Sequence, residues 1–285
     1  MSIITRPESL LCISGGADSM YLLHHYKNEK NIHVAHVNYN IREDSGEDET
    51  LVESYCKQHS IPFHCLRTNP VKDTGIEEWA RDVRYAFFNE LKETYKLKYT
   101  VTAHNSNDQA ETVLMRLYRG TGFGGLAGIY KDCNGLYRPM LGLSKKEIYD
   151  ECHRLGIQYR EDSTNVDTKY LRNWFRKEFV TDELIAPLCK IAENTQTMKP
   201  DMLKLAEFTF VDTIKTEENK IIISKHVDND ALCFLYLTKL FGERYKMTEH
   251  MFEMIFSTDS SLNKFTTSNF VCDKRKKTTI TITFK

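Results

Sequence analysis

The chain alternates short apolar runs with stretches of helical periodicity through about residue 160. Four to six apolar residues between turn residues predict buried strands, and apolar residues at i, i+4 and i+8 predict helix faces. The predicted order is strand 10–13, helix 18–27, strand 32–37, helix 45–59, strand 62–66, helix 76–93, strand 99–103, helix 105–119, strand 136–138 and helix 144–155. Repeated βα units predict the α/β class with a doubly wound parallel sheet.

The pattern changes after about residue 190. Amphipathic helices are predicted near 198–210, 229–241 and 247–256, followed by strands at 263–271 and 278–284. We therefore predict two domains, 1–190 and 191–285, of which the second is a small α+β domain with helices and a hairpin. The basic turn 273–277 before the last strand is either a solvated hairpin tip or a contact to a phosphate backbone.

Composition limits the class of protein but not its ligand. With 285 residues and 41% hydrophobic residues, the chain can bury one large core and a smaller one. The N-terminal stretch is too short and polar for a signal peptide, and no apolar run approaches the ~20 residues that span a bilayer, so we expect a soluble cytoplasmic protein. Eight cysteines without a Cys-x-x-Cys pair favour reduced thiols over disulfides or zinc. The net charge of −1 neither implies nor excludes nucleic acid.

The sequence Ser-Gly-Gly-Ala-Asp-Ser at 14–19 lies between a predicted strand and a predicted helix. Glycines allow a sharp turn and a close approach to a ligand, and N–H groups at a helix start attract an anion. Asp18 would repel a bare phosphate, which favours pyrophosphate held together with Mg²⁺. An ordinary turn capped by Asp18 or Ser19 is the alternative. The predicted ligand-binding residues are Ser14, Gly15, Gly16, Ala17, Asp18 and Ser19.

The predicted helix after residue 104 sorts its residues onto two faces. His104, Asp108 and Glu111 fall on one face, where two carboxylates and an imidazole suit Mg²⁺ coordination and the orientation of a phosphate or an attacking group. A solvated acidic first turn is the alternative. The predicted buried stripe is Ala110, Val113, Leu114 and Leu117.

Two further segments combine glycine or arginine with possible ligand contacts. Residues 120–128 hold five glycines and follow Arg116 and Arg119, so they form a close approach to a ligand, a moving lid or a flexible connector. Arg172 and Arg176 share a helix face suited to phosphates. The neighbouring aromatics, which either stack on a base or belong to the core, are Tyr170 and Trp174.

Together these segments resemble the bacterial tRNA(Ile)-lysidine synthetases of the PP-loop, or N-type ATP pyrophosphatase, superfamily. The resemblance covers most of residues 10–185. It rests on the Ser14–Ser19 loop and on the segments 36–48, 78–85, 104–128, 138–141 and 160–173. The Ser-Gly-Gly loop marks only the superfamily, whereas the 104–128 and 160–165 segments are more specific.

The resemblance implies a carbon–nitrogen ligase that uses ATP and Mg²⁺. ATP would adenylate C2 of the wobble cytidine in the anticodon arm of tRNA(Ile), and L-lysine would then displace AMP to give lysidine. A homodimer is possible, and the C-terminal domain would contact tRNA. The implied catalytic residues are Asp18, His104 and Asp108, and the implied metal ligands are Asp18, Asp108 and Glu111. Implied nucleotide ligands beyond the loop are His36, Asn38, Arg42 and Gly120. Implied substrate contacts are Arg81, Arg84, Arg116, Arg119, Arg138, Asp162, Asn165, Arg172, Asn173 and Arg176.

Asn105 and Asn107 depart from the pattern, since many relatives have a second His and a second Asp there. Asp108 is therefore the sole candidate of that acidic pair, and the local negative charge is lower. Two other functions remain open at this point. One is a PP-loop tRNA thiolase, although such enzymes generally use paired cysteines, and the other is a regulatory nucleotide-binding module without turnover.

Overall fold

The computed structural model describes residues 3–41, 44–69, 76–161, 171–227, 231–245, 247–259, 262–276 and 278–285. The chain divides into two compact units. The first comprises residues 1–119 and 128–192, and the second comprises residues 120–127 and 193–285. Within the described ranges, no helix combines the length and the apolar character needed to cross a bilayer.

A six-stranded sheet forms the centre of the first unit. Its strands are β1 (Ser9–Cys12), β2 (Ile32–Asn38), β3 (Phe63–Arg67), β4 (Tyr99–Val101), β5 (Asp132–Cys133) and β6 (Leu136–Tyr137). Their order is β3-β2-β1-β4-β6-β5. All neighbours are parallel except β5, which runs antiparallel to β6. Strand β1 is central, since Ser9 pairs with Ile32 on one side and with Tyr99 on the other.

Helices cover both faces of this sheet. They are α1 (Ala17–Tyr26), α2 (Ser45–Gln58), α3 (Ile76–Tyr95), α4 (Ser106–Tyr118), α5 (Lys145–Leu155) and α6 (Leu171–Glu178). Because side chains alternate along a strand, Leu11 and Ile13 pack in the core formed with α1, α2 and α5, whereas Leu10 packs against Phe88 and Leu91 of α3. The predicted doubly wound parallel sheet is confirmed.

Local signals in the sequence fix the ends of α5. The Ser144 hydroxyl accepts a hydrogen bond from the Glu147 N–H (3.2 Å), and the Glu147 carboxylate accepts one from the Ser144 N–H (2.7 Å). This reciprocal capping box satisfies N–H groups that the helix leaves unpaired. The helix ends at Gly156, whose φ of 65° is a left-handed conformation that favours glycine.

The second unit is built on an antiparallel five-stranded sheet. Its strands are β7 (Ile214–Glu217), β8 (Lys220–Ser224), β9 (Lys264–Thr266), β10 (Phe270–Asp273) and β11 (Thr279–Phe284), in the order β7-β8-β11-β10-β9. Its helices are α8 (Ala231–Tyr245), α9 (Glu249–Phe256) and the C-terminal part of α7 (Asp182–Phe210). Alternate strand residues form its core, including Ile221, Ile223, Ile280 and Ile282.

Three elements of the second unit differ from the sequence prediction. The predicted helix 198–210 is the last part of α7, which continues through Pro187 and Pro200, residues that normally interrupt a helix. Hairpin β7–β8 was not predicted because β7 has mostly polar residues. The predicted strand 263–271 is two strands, since Thr267 forms a turn in which its N–H donates to the Phe270 carbonyl (2.9 Å).

Two residues of the basic turn before β11 form contacts inside the second unit. Lys274 is buried, and its ammonium group donates to the carbonyls of Met254 (3.1 Å) and Ser257 (2.8 Å) at the end of α9. These are carbonyls that a helix end leaves without partners. Arg275 forms an ion pair with Asp273 (2.6 Å) and remains exposed. The charge of Lys274 is therefore not part of a solvated hairpin tip.

The glycines of segment 120–128 approach side chains of the chain itself. Residues Phe123–Ala127 form a short 3₁₀ helix, and a Cβ on Gly125 would lie 1.8 Å from the Thr121 hydroxyl oxygen. The Gln109 side-chain amide donates to the Ile129 carbonyl (3.0 Å) and accepts from the Ile129 N–H (2.6 Å). Gly128 has φ of +58°, and a Cβ there would lie 2.4 Å from Gln109 Oε1. Close packing explains these two glycines.

We expect Gly128→Ala to lower the free energy of unfolding by about 2 kcal/mol or more, because it adds backbone strain to a steric clash. Gly46→Ala is the matched control, since nothing lies within 4 Å of a Cβ there and the residue is in α2. The control should be neutral or stabilising by about 0.5–1 kcal/mol. Urea unfolding measures both, and equal stabilities of the two variants would contradict the packing explanation.

Candidate functional site

The strand order places two loops of the first unit side by side. Strands β1 and β4 are adjacent and parallel, and the chain reaches β2 on one side of β1 before it crosses to β4 on the other. Open α/β sheets bind ligands outside the carboxyl ends of the strands at such a reversal of strand order. The loop before α1 and the loop before α4 meet at this edge.

A cavity of about 440 Å³ opens at this edge, within the size range of small-molecule sites. We call it the cleft. Its polar lining comes from loops and from helices and includes both acidic and basic side chains. These residues are Ser14, Gly16, Asp18, Ser19, Arg81, Arg84, Thr102, His104, Asp108 and Arg176. The rest of the wall is mainly apolar or aromatic: Cys12, Ile13, Ala35, Val37, Tyr39, Tyr85, Phe88 and Ala103.

The Ser14–Ser19 loop is braced from within by one hydroxyl. Ser19 Oγ accepts hydrogen bonds from the N–H groups of Ser14 (3.2 Å) and Gly15 (3.1 Å) and donates to the Gly16 carbonyl (2.9 Å). Gly16 is the N-cap of α1 and has no side chain to cap the helix. The first-turn N–H groups of α1 therefore receive no side-chain cap from Gly16, an arrangement that suits an anion.

Asp18 is a buried carboxylate whose burial cost is only partly offset by neighbouring groups. Its Oδ1 atom is buried and has no hydrogen-bond partner within the described residues. Burial, followed by the negative charge of Asp108, raises the pKa of Asp18 to about 6. Lys145 and Arg176 act in the opposite direction. Two neighbouring carboxylates, one with a buried free oxygen, provide the hard oxygen donors that Mg²⁺ prefers, so these residues fit the ion.

The start of α4 fixes Asp108. Asn105 is the N-cap, and its amide oxygen accepts from the Asp108 N–H (3.1 Å) while Asp108 Oδ2 accepts from the Asn105 N–H (3.0 Å). Asn107 accepts from the Lys145 N–H at the start of α5 (2.9 Å). Both asparagines that depart from the family pattern therefore act on helix starts, where a short polar side chain is preferred.

The side chains of His104 and Arg176 line the cleft, and each is held by a neighbouring side chain. His104 Nδ1 lies 2.8 Å from the Thr102 hydroxyl oxygen. Arg176 donates from Nε and Nη2 to the two oxygens of Glu111 (2.6 and 3.2 Å). A fork of this kind fixes the guanidinium plane as well as its charge.

Glu111 differs from its predicted position. It is only 1% exposed and does not line the cleft with Asp18 and Asp108. Leu117, which the periodicity assigned to the buried stripe, is 43% exposed. The buried face of α4 is thus rotated toward Glu111, because the charge of Arg176 compensates this carboxylate and allows its burial.

The structure places His36 and Asn38 on the face of β2 opposite to the cleft. The His36 ring donates from Nδ1 to the Ile13 carbonyl (2.9 Å), and its burial lowers its pKa. Asn38 donates to the Glu49 carboxylate (3.1 Å). The cleft is lined instead by the alternate residues, which are Ala35, Val37 and Tyr39. Strict two-residue alternation along β2 is the signal that could have identified them.

The predicted arginines divide into two groups. Arg81 and Arg84 line the cleft with Arg176. Arg116 and Arg138 instead donate to main-chain carbonyls, those of Gly128 (3.1 Å) and Tyr130 (2.6 Å) respectively. Arg119 is the C-cap of α4, and Gly120 belongs to the second unit; neither lines the cleft.

Five predicted contacts lie outside the described residues or side chains. Arg42, Asp162 and Asn165 fall in ranges that the structure does not describe, and the side chains of Arg172 and Asn173 are likewise not described.

Comparison with known proteins identifies the architecture of the cleft. The PP-loop domain family matches residues 4–183, more than half of the chain. The chain belongs to the PP-loop family. The match contains the Ser14–Ser19 loop, which we now call the PP-loop, and the described cleft-lining residues. Membership implies the use of ATP.

Two curated relatives carry the same name. The tRNA(Ile)-lysidine synthase of Clostridium tetani is 31% identical over 95% of this chain and 62% of its own length. That of Bacillus subtilis is 34% identical over 75% of this chain and 48% of its own length. The chain thus spans less than two thirds of the curated relatives that it matches.

A solved structure supports the fold alone. The U34-tRNA thiolase NcsA from Methanococcus maripaludis superposes with a TM-score of 0.56 at 17% identity, covering 69% of this chain and 73% of its own. This similarity agrees with the PP-loop architecture.

We expect Asp18→Asn to stabilise the ligand-free protein at pH 8 but to have much less effect at pH 4.5. The folded-state pKa of about 6 lies above the ordinary aspartate value of 3.8, so folding favours the protonated acid and stability falls as the pH rises between these values. Thermal unfolding without nucleotide or divalent ions measures the effect. Asp201→Asn, at an exposed ion pair, is the control. A destabilised Asp18→Asn variant at pH 8 would contradict the account of Asp18.

We expect Arg176→Ala to lower the free energy of unfolding by about 3 kcal/mol or more, because it leaves the buried Glu111 carboxylate without this partner. Arg154→Ala breaks an exposed pair with Glu151 and should cost about 1 kcal/mol or less. Urea unfolding compares the two variants. Similar small losses in both would show that the Arg176–Glu111 pair does not support the site.

Proposed function

We propose that this chain is a tRNA(Ile)-lysidine synthase that joins lysine to C2 of the wobble cytidine in tRNA(Ile). The central supporting observation is the pair of carboxylates Asp18 and Asp108 beside the uncapped start of α1 in a PP-loop cleft. The shared name of the curated relatives supports the choice of reaction.

The proposed reaction has two steps. In the first, O2 of the cytidine attacks the α-phosphorus of ATP, an O–P bond forms, and the bond to pyrophosphate breaks. In the second, the ε-amine of lysine attacks C2, AMP leaves with the former O2 oxygen, and the amine loses a proton. The wobble base lies in a single-stranded loop, so turning it into a cleft costs little unpairing energy.

The chain's own groups suit the first step. The first-turn N–H groups of α1 would hold the departing pyrophosphate, and the charges of Arg81, Arg84 and Arg176 would attract phosphates to the cleft. We assign Asp18 and Asp108 to hold Mg²⁺. When bound, the ion supplies positive charge that stabilises the charge developing on the pyrophosphate.

His104 suits the proton transfer of the second step. Its ring lines the cleft, and the contact of Nδ1 with Thr102 fixes the orientation of the ring. Imidazole has an ordinary pKa close to neutral pH and can accept the proton that the amine loses. Glu111 acts indirectly, because it accepts a hydrogen bond from Arg176 and so fixes the position of that guanidinium. We assign recognition of the tRNA to the second unit together with residues 160–176.

The test is incorporation of radiolabelled lysine into tRNA(Ile) with a CAU anticodon, in the presence of ATP and Mg²⁺. We expect incorporation with release of AMP and pyrophosphate. Asp18→Asn should fold normally and lose at least about a hundredfold in the adenylation rate, because a charged group at a developing charge is removed. Asp150→Asn, at an exposed ion pair on α5, should retain full activity.

Two results would contradict this proposal. Transfer of sulfur instead of lysine would identify a thiolase, and ATP binding without transfer to any tRNA would indicate a regulatory nucleotide-binding module. An unchanged rate in Asp18→Asn would show that this residue is merely part of a turn.

A further inference from the structure

One main-chain hydrogen bond holds the PP-loop from outside the cleft. The Gly15 carbonyl accepts a hydrogen bond from the Arg160 N–H at 3.0 Å. A trans peptide is planar, so the Gly15 carbonyl and the Gly16 N–H, which share one peptide plane, point in opposite directions. Anchoring the carbonyl to Arg160 therefore turns the Gly16 N–H away from residue 160.

The conformation of Gly15 makes this orientation possible. Gly15 has φ of +99°, which L-residues with a side chain rarely adopt, and a Cβ there would lie 3.2 Å from the Cβ of Asp48. The Ser19 hydroxyl holds the N–H on the other side of Gly15. The Gly15 residue is thus fixed at both of its main-chain polar groups, by Ser19 within the loop and by Arg160 from outside it.

The Arg160 side chain ties residue 160 to the first turn of α2. Its guanidinium donates from Nε to Asp48 Oδ1 (3.0 Å), from Nη2 to Asp44 Oδ2 (2.8 Å) and from Nη1 to the Glu47 carboxylate. Asp44 is the N-cap of α2, Glu47 and Asp48 lie in its first turn, and Asp48 packs directly against Gly15. One residue, Arg160, therefore connects the segment after α5 to α2 through its side chain and to the PP-loop through its main-chain N–H.

Two of the three ion pairs in this cluster are poorly suited to a purely stabilising role. The side chains of Asp44 and Glu47 are 41% and 65% exposed, and such ion pairs contribute little to stability because water and salt screen them, whereas the Asp48 side chain is 10% exposed. Their shared geometry, however, restricts where the Arg160 main chain can lie. Positioning, rather than net stability, is what this arrangement achieves best.

We infer that Arg160 is a positioning residue for phosphate binding: its side chain is anchored by Asp44, Glu47 and Asp48, and its N–H fixes the peptide that joins Gly15 to the cleft-lining residue Gly16. The inference rests on the proposed function only for the identity of the ligand, a nucleotide polyphosphate. It predicts a specific loss of affinity for the phosphate groups.

The experiment measures binding of ATP, inorganic pyrophosphate and adenosine to the whole chain by titration calorimetry. Arg160→Gln should weaken binding of ATP and pyrophosphate by at least about tenfold, the effect expected when a hydrogen bond to a charged group is lost. Adenosine affinity should stay within about twofold, since adenosine has no phosphate to meet the Gly16 N–H.

Two further variants make the test decisive. The double variant Asp44→Asn/Glu47→Gln leaves Arg160 and the loop unchanged but removes two of its three charged anchors, so it should give a smaller loss with the same ligand dependence. Arg154→Gln breaks an exposed pair on α5 and should bind all three ligands as the wild-type chain does. Circular dichroism checks folding, and the double variant decides the question if Arg160→Gln fails to fold.

Unchanged pyrophosphate affinity in the folded Arg160→Gln variant would overturn the inference. An equal loss for adenosine would also overturn it, because it would show a general collapse of the cleft. The wild-type chain separates this inference from the proposed function. If it binds ATP but transfers no lysine, the proposed function fails while the Arg160 comparison still decides the inference, and if it binds neither ATP nor pyrophosphate, both fail.

Discussion

The position of strand β1 at the centre of a parallel sheet determines where chemistry can occur in this protein. With β2 hydrogen-bonded on one side and β4 on the other, the carboxyl end of β1 faces a crevice at the point where the chain reverses its winding direction. Asp18 and Asp108 are ninety positions apart in sequence, yet both follow strands that end at this crevice. Their proximity is a consequence of strand order.

Two carboxylates of the site have close partners for their charge, whereas the charge of Asp18 is only partly offset. Glu111 is buried against the guanidinium of Arg176, and Asp108 accepts a main-chain N–H at the start of α4. Asp18 retains a buried oxygen without a partner within the described residues. A folded chain tolerates such a cost where binding can relieve it, which supports the proposal that Asp18 holds a ligand.

Much of the fold and part of the cleft could be predicted from the sequence. Apolar runs and helical spacing are local signals, which is why the βα units of the first unit and the PP-loop match prediction closely. The partners of a side chain are not local. The burial of Glu111 depends on Arg176, sixty-five positions later, and the unsuspected orientation of His36 depends on which face of β2 meets the cleft. The β7–β8 hairpin was missed because its register with β11 stabilises strands whose own residues give a weak signal.

The two hydrogen bonds between the Gln109 side chain and the Ile129 main chain also constrain how this sequence can diverge. The amide of Gln109 replaces a main-chain partner for both polar groups of Ile129, and it fits only because residue 128 has no side chain. A larger residue at 128 would require a shorter one at 109, and a shorter residue at 109 would remove two hydrogen bonds to the main chain of Ile129. We therefore expect substitutions at positions 109 and 128 to occur together, so that the two positions covary in proteins that descend from this chain.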